Sequence, residues 1–132
     1  MAHLFTFRTV QFQPADERPN PINPIAGEGV LKWLATQLTA QGYRCDQPDA
    51  EDWGWYTSVT NGEQSYLLGA SGAWGPPGGK TEWAVQLELR RSLWNKMSGA
   101  NRMRVNDEVS AAVEHTLGGN PDIEILEIDR GA

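Results

Sequence analysis

The stretch Thr81-Glu82-Trp83-Ala84-Val85-Gln86-Leu87-Glu88-Leu89-Arg90 limits what this chain can fold into more than any other. Trp83, Val85, Leu87 and Leu89 recur at every second position, with Ala84, Gln86, Glu88 and Arg90 between them. Only a strand puts residues i and i+2 on one side. The alternation demands a sheet with one dry face and one face open to water, so a second layer must cover the dry face.

Other segments supply the partners. Residues 3–12 predict a strand with apolar residues on both parities: Phe5 and Phe7 on one, Leu4, Val10 and Phe12 on the other. Residues 13–29 hold Pro14, Pro19, Pro21 and Pro24. Proline lacks a ladder N–H and restricts the residue before it, so an extended loop is expected, with Ile22 and Ile25 tucked against the core. Over 28–41, Val30, Leu31, Leu34, Ala35 and Leu38 form the apolar stripe of a helix that Gly42 ends. Residues 53–60 and 64–70 predict two strands joined at Asn61-Gly62, the strongest short hairpin signal. In the first of them Trp53, Trp55, Thr57 and Val59 would share a face. Residues 71–80 predict a turn-rich loop holding Trp74, and 91–104 a connector. Residues 106–117 predict a helix capped by Asn106 and ended by Gly118. The last strand, 122–129, switches apolar parity from Ile123 and Ile125 to Leu126 and Ile128, which calls for a bulge or burial on both faces.

The order is β-α-β-β-β-α-β. The expected fold is α+β: a mixed or antiparallel sheet of about five strands with two helices packed on one face. It is a relative of the split βαβ plan with one strand added to the central meander. A single domain spanning 1–132, with a proline-rich loop at 13–26, fits 132 residues that are 39% hydrophobic and 21% charged. The other sheet face is left bare, and large apolar residues there would need a partner.

Several function classes are excluded or disfavoured. A net charge of −6 argues against a general nucleic-acid binder, which needs a basic footprint. Cys45 is the one cysteine, so no intrachain disulfide forms, and a reducing compartment fits. The first residues lack a basic region ahead of an apolar run, and no stretch reaches the roughly 18 apolar residues of a membrane span. A bacterial-type cytoplasmic location without membrane contact is expected. His3 and His115 lie far apart, and Asp46, Asp49, Glu51 and Asp52 lack the order of a calcium loop. Cys45 follows Arg44 but has no nearby histidine, and Ser58, Ser65 and Ser71 sit in no nucleophile-elbow frame. Gly72-Ala73-Trp74-Gly75-Pro76-Pro77-Gly78-Gly79-Lys80 has prolines where a phosphate loop needs N–H groups. No catalytic residue, cofactor or metal ligand is therefore expected.

Two segments remain as candidate surfaces. One is acidic and leads into the Trp53-Gly54-Trp55 stretch. The other, 90–104, holds Arg90, Arg91, Lys96, Arg102 and Arg104 with no acid among them, and Trp94 lies between. The expected partner surface comprises Asp49, Glu51, Asp52, Trp55, Trp74, Arg90, Arg91 and Trp94. Trp55 stands open between two roles: core beneath the helices, or interface on the bare face.

Asp52-Trp53-Gly54-Trp55, Trp83 and Arg90, set in the sequence of elements from 28 to 129, resemble a group of small bacterial α+β domains for which no activity is established. In that group an acidic-Trp-Gly-Trp strand precedes a Trp-started strand, a basic connector, a helix and a last strand. The proline-rich loop has no counterpart there. In size and acidity the chain is similar to bacterial toxin-immunity domains, by analogy alone. The expectation is a non-enzymatic protein-binding module, immunity-like or self-associating. The alternative is a small-molecule binder or small enzyme with a pocket near the 13–26 and 71–80 loops, lined by Trp74.

Overall fold

The computed structural model describes residues 2–72, 78–99 and 101–131. The first strand, β1 (Ala2–Thr9), stops where Thr9 turns inward and its hydroxyl donates to the Asp122 carbonyl at 2.6 Å. Val10 therefore lies outside the strand and is exposed, and Phe12 packs instead on Trp33, with ring centroids 5.4 Å apart. A short 3-10 turn (Pro14–Asp16) and the proline-rich loop lead to α1 (Glu28–Ala40). Two short strands follow, β2 (Arg44–Cys45) and β3 (Asp49–Glu51), and then the long meander β4 (Gly54–Asn61), β5 (Gln64–Gly72) and β6 (Thr81–Leu89). The chain closes with α2 (Leu93–Ser98), α3 (Glu108–Gly118) and β7 (Ile123–Asp129).

The sheet runs β2-β4-β5-β6-β1-β7, with β3 beside β2 on the same edge of β4, and every pairing is antiparallel. This is α+β as expected, with seven strands and three helices among the described residues. A three-strand meander would have brought its last strand alongside β1 in parallel. The broken strand β2/β3 adds one more reversal, so β6 arrives antiparallel. Asp49 and Glu51, expected in a polar lead-in, thus sit in an edge strand.

Helices α1 and α3 pack on each other and on one face of the sheet. That face supplies Phe5, Phe7, Trp55, Val59, Tyr66, Leu68, Trp83, Val85, Leu87 and Leu89, all buried, against Val30, Leu31, Leu34 and Leu38 of α1 and Val109, Val113 and Leu117 of α3. The alternation in β6 is obeyed at every position. In β7 the register slips between Thr6 and Phe7 of β1, and Leu126 is the extra residue. The bulge lets Ile123, Ile125 and Ile128 face the helices together and leaves Leu126 outside. The α3 cap is Asp107, not Asn106: its carboxylate accepts from the Ser110 N–H at 2.9 Å.

The connector expected over 91–104 contains a helix. Ser92 Oγ caps it by accepting from the Asn95 N–H at 3.1 Å, and Gly99 ends it in the left-handed conformation. Trp94, Lys96, Met97 and Ser98 of α2 are exposed.

Candidate functional site

The proline-rich loop is an ordered clamp. Gly27, at the start of α1, has no side chain to cap the helix, so the Glu17 carboxylate does so from a distance. It accepts the N–H groups of Gly27, Glu28 and Gly29 at 2.9, 2.9 and 3.1 Å, which satisfies helix donors that would otherwise be orphaned. Arg18 reaches the buried Glu28 at 2.7 Å, and its guanidinium carbon lies 5.1 Å from the Trp55 ring centroid. Asn20 donates to the carbonyls of Glu51 and Gly54 and accepts from the N–H groups of Ile22 and Asn23. Ala26 then pairs with Gly72 like a one-residue strand. Ile22, expected inside, is 56% exposed; Ala26 takes the core position.

This clamp shapes one end of the uncovered sheet face. Trp53 does not share a face with Trp55. It lies in the turn before β4, and Gly54 (φ 150°) reorients the chain between them. Trp55 is buried on the helix side at 1% exposure, so it leaves the expected partner surface and joins the core. Trp53 lies on the other side, with the edge of its six-membered ring at Gly69. A Cβ at Gly69 would stand 2.5 Å from its ring, so the ring occupies the space of a missing side chain. Beside it opens a depression of about 690 Å³ lined by Pro24, Ile25, Trp53, Ser71, Glu82 and Ala84. A second of about 250 Å³ shares Trp53, Ser71 and Ala84 with it and extends to Leu4 and Gln86. Small residues at Gly69, Ser71 and Ala84 make this trough, because neighbouring strands there carry little side chain. Trp74, expected to line it, falls outside the described residues.

The basic segment forms the second surface. Trp94 and Met97, three residues apart on α2, are each 74% exposed. Lys96 of the same helix is exposed, as are Arg102 and Arg104 in the chain that follows. Arg90 donates to Ser58 Oγ at 2.7 Å on the uncovered face, and half-buried Arg91 donates to the Asn95 carbonyl at 2.9 Å. Of the acidic residues, Asp49 and Asp52 are exposed and Glu51 is half-buried. The sequence signals for what was missed were present: Ser92 and Gly99 bracket α2, and Gly69 marks a close approach within a strand.

Other polar groups are inward. His3 is buried between β1 and α3, its Nδ1 2.6 Å from Ser110 Oγ, and Nε2 has no hydrogen-bond partner among the described residues. Burial pushes its pKa down, partly offset by Asp107. The Tyr66 hydroxyl donates to Asp107 at 2.7 Å, and burial foremost, then that bond, pushes its pKa up. Burial also pushes the pKa of the Cys45 thiol up. Among the described residues no three His, Cys, Asp or Glu side chains converge as a metal site requires. No described helix is long and apolar enough to cross a membrane.

Among the described residues, fold and surface define an antiparallel α+β protein with α1 and α3 on one sheet face and a short helix, α2, that exposes Trp94, Lys96 and Met97. No protein-family model, curated protein or solved structure matches the chain.

Proposed function

We propose that this chain is a non-enzymatic protein-binding module that grips its partner with α2. The observation that carries the reading is the exposure of Trp94 and Met97, 74% each, three residues apart on α2. Tryptophan and methionine are enriched at the centres of interfaces, and a basic segment selects an acidic partner. An immunity-like role is one form of this reading, supported by size and acidity alone. The test is a photo-crosslinking amino acid at position 94 in cells. A defined adduct that is lost when Lys96 and Arg102 become Glu supports the proposal. No adduct, or one indifferent to those charges, refutes it.

A second reading, a small-molecule site, draws on the trough. Its size lies within the range of roughly 300–1,000 Å³ common for ligand sites, and Trp53, Pro24 and Ile25 give it an apolar wall. The proline loop and the sheet meet there.

A further inference from the structure

We infer that the surface receiving α2 is the trough on a second copy of this chain, so that the protein self-associates by placing Trp94 and Met97 beside Trp53. The inference rests on the reading of α2 as a binding element and names its partner.

Charge is the first argument. Residues 90–104 carry five cations and no acid, while the rest of the chain has six basic residues against all seventeen acids. The trough sits in that acidic remainder. Glu82 lines it, Asp52 precedes Trp53, and Glu127 stands opposite Thr6 in the β1–β7 register; all three are exposed. Arg8, opposite Glu82 in the β1–β6 register, is bound to Glu124 through two hydrogen bonds of 3.0 Å. Two uncovered faces meeting without α2 would set these acids against one another. A basic helix between them removes the conflict and adds steering, since complementary patches raise encounter rates.

Shape is the second. Helix α2 offers two large flexible or flat side chains, with the exposed Lys96 on the same helix. The trough offers a floor of the small residues Ser71 and Ala84, an aromatic wall at Trp53 and an acidic residue, Glu82, at its rim. Within one copy the two stay apart, for neither Trp94 nor Met97 lines either depression. Knob and hole on one chain can close as a two-fold dimer, in which each α2 enters the other's trough.

Sedimentation of the purified full chain across a concentration series tests this. The wild type should associate, and more weakly as salt rises. W94A/M97A removes the knob and A84R fills the hole with like charge. Each alone should associate roughly thirty-fold more weakly or worse, as loss of a central contact does. Mixing the two should recover a dimer that holds one intact contact. If A84R does not fold, E82K, on an exposed side chain, takes its place. A monomeric wild type, variants that associate undiminished, or a mixture that recovers nothing would each overturn the inference. A monomeric wild type whose position-94 crosslinker captures a different protein would overturn it while leaving the binding module standing.

Discussion

Trp53 and Trp55 are two residues apart and serve opposite faces, and glycines make that possible. Gly54 takes a backbone conformation that side chains avoid, and a Cβ there would meet the Ala70 carbonyl at 2.4 Å. Gly69 leaves the space that Trp53 covers. The period-two rule, applied across 53–55, puts both indoles on one side. It holds only within a strand, and β4 begins at Gly54. Gly69→Ala should lose about 1–3 kcal/mol, as overpacking does. In a Trp53→Ala background the same change should lose much less. A double-mutant cycle in urea measures the coupling, and additive losses would mean the ring does not rest there. Glu17 was equally hidden: its role as the cap of α1 needs ten residues of proline-rich chain to fold back, which no local pattern announces.

At the scale of elements, the long periodic segments were legible: α1, β4, β5, β6 and α3 stand where the pattern put them, within a few residues. The short ones were not. Strands β2 and β3 hold two and three residues, too few for a period, and exist only because β4 offers them an edge. The described side chains of α2 at 94, 96, 97 and 98 are exposed, so hydrophobic periodicity is silent and only its caps speak. The parity switch in the last strand did announce the bulge at Leu126. Deleting Leu126 should be tolerated, since the isoleucines on either side keep their face. Deleting Glu124 should turn buried Ile123 toward water and lose roughly 1.5–3 kcal/mol. Denaturant unfolding of the two deletion variants compares them, and equal losses would place the bulge elsewhere.

For the molecule as a whole, pH and charge distribution matter most. His3 is buried neutral, with its pKa below the ordinary 6.5. Between the lowered value and 6.5 the unfolded chain binds a proton that the folded chain refuses. Stability is therefore complete above about pH 6.5 and falls as pH drops below it. Asp107 and Asp129 oppose the shift, and Arg130 adds to it. The Arg8–Glu124 pair acts in a lower window: Glu124 is held below its ordinary 4.5, so its contribution fades only under that pH. Thermal unfolding from pH 7 to 5 should show a decline that His3→Gln flattens. A slope unchanged by that substitution would acquit the histidine. The sequence also gathers five of its eleven cations into 90–104 with no acid among them, a segregation that a net charge of −6 conceals.

By itself the sequence determined the class of fold, because alternation and helical periodicity are local consequences of backbone geometry. It also determined the acidic and basic segments, since charge is read directly. Only the tertiary structure decided the face each tryptophan occupies, the fully antiparallel sheet and the trough. Those depend on a turn glycine, on one extra chain reversal, and on which small residues lie side by side on strands far apart in the chain. None of these is a property of any single stretch.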